Sequence, residues 1–212
     1  MRNRFIAVLL LALPSAHAAQ TPPAASPTGW GGYLGREQQR ATQYYGIGGR
    51  SVTDDITIPH AILAAHLRAT PALLAEYFRI SAVGAVLSGA IGVQGHYANG
   101  LAALFLACGQ DVACVSESSA GITRFEETDD GSLYACVTIP SLVVGTVRGG
   151  TGLPSQRACL DLLDLEEPNS ANELAEVCAA VVLPGELSIV GAIVANEFTQ
   201  AHVSPGRAKA VT

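Results

Sequence analysis

Residues 95–112 read GHYANGLAALFLACGQDV, and the fold turns on how this stretch is read. The run from Gln94 to Cys108 predicts an amphipathic helix, with His96, Asn99 and Gly100 near its start and LAALFLA behind. Gly109, Gln110 and Asp111 follow directly, so a carboxylate stands at the negative end of a helix dipole and needs a compensating partner. Asp111 is therefore either a site residue or the cap of a loop. His96 and Asn99, one turn apart, either face a common ligand or simply open the helix.

Working outward, Val52 to Ile58 (VTDDITI) is strand-like but interrupted by two acids, and Pro59 opens a short helix, HAILAAHLR. Thr70-Pro71 supplies a cap and a first-turn proline for a helix running through ALLAEYFRISAVGAVLSGAIG. Its small residues Gly84, Ala85, Ser88 and Gly89 predict a face buried against another helix. Residues 132–147 read as strand broken at Pro140, and residues 145–152 as a glycine loop. Pro154 to Leu163 is helix-like. Asn169 to Thr199 is a long apolar helical stretch interrupted at Pro184-Gly185, with Glu186 capping a new helix. Strands and helices mix without a βαβ rhythm, which predicts an α+β fold.

The chain has 212 residues, 49% apolar and 14% charged, with a formal net charge of −6. One domain with a real core follows. No Lys/Arg cluster follows position 4, which argues against nucleic-acid partners, since phosphate neutralisation needs a basic face. Arg2 and Arg4 precede an apolar run, Phe5 to Leu13, and small residues at Ala16 and Ala18. Residues 1–18 thus read as a signal-like segment and 19–31 as a linker, which predicts export. The rival reading is a gene start placed wrongly, with a cytoplasmic or endoplasmic-reticulum-associated protein.

Cys108, Cys114, Cys136, Cys159 and Cys178 form an odd, dispersed set, mostly within apolar segments, as reduced core thiols do. A Cys108–Cys114 bridge would require the chain to fold back between them. No His/Cys/acid group has a metal-ligand spacing. The glycine loop with Arg148 could cradle a phosphate, but it matches neither the dinucleotide fingerprint nor the P-loop. His202 is the one titratable switch in the C-terminal tail.

Together, GHYANGLAALFLACGQD, LYACVTIPSLVVGTVRGGTGLPSQRACLDLL, LAEVCAAVVLPGELSIVGAIVANEF and AHVSPGR resemble, in order and spacing, the C-terminal part of the catalytic domain of hydroxymethylglutaryl-coenzyme A reductase. The resemblance covers 32–207, leaving 208–212 as a tail, and implies a helix-rich remnant of the large, substrate-binding domain without the small cofactor domain. In the family, two hydrides from NADPH take a coenzyme A thioester to mevalonate, the isoprenoid precursor. The resemblance places Asp111 at the family's active-site aspartate and His202 at the histidine that protonates the departing thiolate. It places His96, Asn99 and Ser188 near the substrate, and Gly145, Thr146, Val147, Gly149 and Gly150 beside the nicotinamide cofactor.

Two departures stand out. Arg36-Glu37-Gln38 falls where the family has Asp-Lys-Lys, so Glu37 occupies the position of a lysine that stabilises an oxyanion; losing one such donor costs about 10²- to 10³-fold in rate. Arg148 interrupts the glycine loop. The segments carrying the family's glutamate and its cofactor-domain motif have no counterpart in these residues. The resemblance thus implies an impaired reductase, working as a homo-oligomer or by pairing with a full-length reductase. The alternatives are a non-catalytic binding or interaction module, or a repurposed acid/base catalyst using Asp111 and His202.

Overall fold

A computed structural model describes residues 17–19, 49–90, 93–165 and 167–198. Glu37, His202, all of the expected linker but Ala19 and most of the signal-like segment lie outside the described residues. The fold is α+β. Its sheet has the order β1-β2-β4-β3, antiparallel throughout, formed by β1 (His17–Ala19), β2 (Arg50–Ile58), β3 (Ile122–Glu127) and β4 (Leu133–Leu142). The helices are α1 (His60–His66), α2 (Pro71–Leu87), α3 (Tyr97–Ala107), α4 (Val115–Ser118), α5 (Pro154–Leu162) and α6 (Ser170–Val194).

Alternation along β2 explains its two acids. Val52, Asp54 and Ile58 point into the core, while Asp55 lies on the other face. Opposite Asp54 stands Val137 of β4, and opposite Val137 stands Thr123 of β3, so one row of the inner face reads Asp54, Val137, Thr123. α6 crosses this face over β2 and β4, and α2 lies over β3. The core joins Val52, Leu101, Phe105, Phe125, Ile139, Leu142, Leu183 and Leu187.

Prolines caused two wrong expectations. β4 runs through Pro140 without a break, because β3 pairs only as far as Thr138 and a bulge against β2 falls between Ile139 and Leu142. The missing N–H is thereby asked for by neither neighbour. α6 likewise continues through Pro184. The proline forfeits one helical hydrogen bond, but Leu183, Pro184, Gly185 and Leu187 are all buried, and that packing holds the helix together. α6 is also long and apolar enough to cross a membrane by composition, yet more than half of its most apolar window is buried inside the protein.

α2 starts as expected, with the Thr70 hydroxyl accepting the Leu73 N–H at 3.3 Å and Pro71 in the first turn. Its C-terminal half departs from expectation. Gly84, Ser88 and Gly89 are exposed, and Ile80, Val83, Val86 and Leu87 stand 61–83% exposed, so the face predicted to pack on another helix is bare. α3 begins at Tyr97, three residues later than predicted. All five cysteines are free, with Cys108, Cys136 and Cys178 buried and Cys114 and Cys159 half-buried.

Candidate active site

The C-terminal end of α3 is closed by glycine chemistry. Gly109 adopts a left-handed φ of 68°, and the Gln110 N–H reaches back to the Phe105 carbonyl at 2.8 Å. This pair of features is the helix-ending turn that only glycine enters without strain. Gln110 then spends its whole amide. Its Oε1 accepts the Gly145 N–H at 2.8 Å, and its Nε2 donates to the Gly145 carbonyl at 2.8 Å and to the Cys108 carbonyl at 2.9 Å. Asp111 follows and caps the next turn (Val112–Cys114), its Oδ1 accepting the Ala113 N–H at 3.0 Å. The compensating partner demanded by its position is thus a backbone donor, and the carboxylate remains exposed.

The loop from Gly145 forms the opposite wall. A cavity of about 650 Å³ lies between the two, lined by Gln110, Asp111, Gly145, Arg148, Gly149 and Gly150, with Phe105, Val112 and Leu153 among its apolar walls. The walls touch at their base: a Cβ placed on Gly109 would sit 2.4 Å from the Gly150 carbonyl oxygen. Thr146 turns away into the core, its hydroxyl 2.7 Å from that of Ser170, while Val147 is 76% exposed. Neither belongs to the cavity lining. Arg50 ties the root of the loop to α6, donating to the Val144 carbonyl and to Asn172 Oδ1, each at 2.8 Å.

At the N-terminal end of α3 a second cluster forms. The His96 N–H donates to Glu186 Oε1, and Glu186 Oε2 accepts from the Thr123 hydroxyl at 3.1 Å, beside the Tyr97 hydroxyl at 3.3 Å from Thr123. Glu186 is 0% exposed. Burial raises its pKa above the usual carboxylate value, against the opposing pull of the Gly95, His96 and Tyr97 N–H groups and the Thr123 hydroxyl. A carboxylate reaching across from α6 therefore caps α3, whose own N-cap, His96, offers no side-chain hydrogen bond. The imidazole of His96 lies over Gly185, where a Cβ would come within 1.8 Å of its Cδ2, and burial lowers its pKa.

The predicted residues thus separate into two groups. Asp111, Gly145, Gly149 and Gly150 meet around one cavity. His96 and Asn99 stand at the other end of α3, an 11-residue helix, hence about 16 Å away along its axis. Ser188 is two residues beyond Glu186 on α6. Sequence reasoning took Glu186 for a simple cap and passed over Arg50. A carboxylate between Gly185 and Leu187 in an apolar run was the available signal for the former; nothing marked Arg50. Asp54, in sequence one of two acids that interrupt a strand, is 0% exposed with neither carboxylate oxygen paired, and burial is the main cause pushing its pKa to about 6. Among the described residues no cluster of His, Cys, Asp and Glu could hold a metal ion.

The sequence that builds this helix-rich α+β domain is similar to that of known proteins. The sequence profile of hydroxymethylglutaryl-coenzyme A reductase matches residues 30–207. The chain is 42% identical over 166 residues to the 3-hydroxy-3-methylglutaryl-coenzyme A reductase of Pyrococcus horikoshii, a match covering 75% of this chain and 40% of that protein. It is 40% identical over 160 residues to the reductase of Methanocaldococcus jannaschii, covering 75% and 39%. The reductase 2 of Dictyostelium discoideum is 42% identical over 168 residues, covering 75% and 32%. This chain belongs to the hydroxymethylglutaryl-coenzyme A reductase family. It spans about 40% of the length of the first of these relatives.

Proposed function

We propose that the chain carries one part of a reductase active site for hydroxymethylglutaryl-coenzyme A, centred on Asp111, and that alone it turns over weakly or not at all. The observation that carries this reading is the interlock of the Gln110 amide with Gly145, which holds the Asp111 turn against the glycine loop. Gly109, Gly149 and Gly150 offer a wall of backbone without side chains, which would border a nicotinamide cofactor. Arg148 stands in that wall where the resemblance places a glycine loop, and its side chain crowds the cofactor side, so NADPH binding by this chain is weak. NADPH would supply hydride when bound. Asp111 would present its carboxylate to the reacting group, and His202 would protonate the leaving coenzyme A thiolate.

The lysine position is Glu37, so the cation that steadies an oxyanion has to come from elsewhere. Asp111 and the pair His96/Asn99 lie at opposite ends of α3, an arrangement that suits a site assembled from two chains, either a homo-oligomer or this chain with a full-length reductase. The bare apolar face of α2 favours the second reading, a non-catalytic interaction module. The leader-like start supports placement outside the cytoplasm.

Purified protein with hydroxymethylglutaryl-coenzyme A, followed by NADPH absorbance, separates the two. Turnover abolished by both Asp111→Asn and His202→Ala supports the reductase reading. Silence of the wild type, with no change in the rate of an added intact family member, leaves the interaction module.

A further inference from the structure

We propose that the cavity beside Asp111 binds a small phosphate-bearing ligand through Arg148. The inference shares its cavity with the proposed reductase site but does not depend on turnover. Two charged side chains line this cavity, Asp111 and Arg148. They do not pair with each other, since the ion pairs among the described residues are Arg68–Glu197, Arg124–Glu126 and Arg157–Asp161.

Most of the donors that other side chains bring to the lining are committed. Gln110 is spent on Gly145 and Cys108, Asp111 Oδ1 on the Ala113 N–H, and Gln156 Nε2 reaches the Leu106 carbonyl at 3.4 Å. The guanidinium of Arg148 has no such engagement among the described residues. It carries five N–H donors in a planar, cationic fork. Its best available partner is an oxyanion, bound by charge-assisted hydrogen bonds in a cavity with largely apolar walls.

Shape and backbone agree with the charge. The volume, about 650 Å³, suits a small molecule. Arg148 is extended (φ −136°, ψ 175°) and directly precedes Gly149, whose φ is 72°. The loop therefore turns sharply just after the cation and presents glycine backbone to the same cavity, where no side chain obstructs a tetrahedral group. A phosphate offers acceptor oxygens in several directions, to the fork and to this backbone together, whereas a carboxylate offers two in one plane.

Isothermal titration of the full chain at low ionic strength tests the inference, with inorganic pyrophosphate and glutarate as separate probes. Arg148→Gln is the variant; the side chain is exposed and makes no described hydrogen bond, and circular dichroism confirms its fold. Saturable pyrophosphate binding that weakens by at least about tenfold in Arg148→Gln, with glutarate much weaker, is the expected result. Equal binding by wild type and variant, absence of saturable binding, or preference for glutarate would each overturn it. A silent reductase assay leaves this measurement unaffected, so the two readings fail separately.

Discussion

The two ends of α3 solve opposite problems. At its N-terminus a carboxylate from another helix, Glu186, is sealed from water and surrounded by donors; at its C-terminus Asp111 is exposed and linked to a single backbone N–H. At the first end Glu186 is architecture: removing its anion would strand the His96 N–H and the Thr123 hydroxyl in the core. The second is open to chemistry, because the charge of Asp111 is held in place without being neutralised. A family resemblance assigns polar residues to both ends alike, and only the packing tells the two kinds apart.

The strongest way to break this contrast is Glu186→Ala. It should cost about 4 kcal/mol, from unsatisfied buried donors and a cavity, and urea denaturation measures it. A loss below 1 kcal/mol would mean that the N-terminal cluster is not structural. Asp54 sharpens the point, because its buried carboxylate has no side-chain donor and only the Asp55 N–H opposes the effect of burial. Its folded pKa, about 6, lies above the ordinary aspartate value of 3.8, so the protonated form is favoured by folding. The associated stability is fully present below pH 4 and is lost as pH rises through 6, on the order of 3 kcal/mol in all. Asp54→Asn should flatten most of this slope, leaving the part due to Glu186; an unchanged slope would clear Asp54 of responsibility.

Gly109→Ala probes the other end. Its left-handed φ and the contact of its added Cβ with Gly150 predict a loss of about 2 kcal/mol, with the Asp111 turn displaced. Thermal unfolding of this variant at wild-type temperature would show that the two glycine walls yield freely. The smallest effect is expected for Gln110→Ala, about 1 kcal/mol, with faster amide exchange at Gly145. Protection at Gly145 equal to wild type would deny the interlock.

Much of the fold could be read because local rules and tertiary packing agree in it. Thr70-Pro71 starts a helix by its own chemistry, and β-branched residues from Val52 to Ile58 make a strand despite their acids. Where the two disagree, packing decides. Pro184 ought to stop a helix, yet the sheet and α3 hold α6 around it; Pro140 ought to stop a strand, yet it falls where no neighbour needs its N–H. The small residues of α2 signal close approach, but no helix among the described residues approaches them. Of the site, the Gly-Gln-Asp turn was visible as an interruption of apolar sequence. The roles of Glu186 and Arg50 depend on partners 90 and 122 residues away, which no local pattern encodes.

The pair of hydrogen bonds between the Gln110 amide and Gly145 has a mechanical consequence. Because one side chain grips both the donor and the acceptor of a single peptide position, the aspartate turn and the cation-bearing loop move as one jaw. A ligand that tugs on Arg148 would reorient Asp111 without touching it.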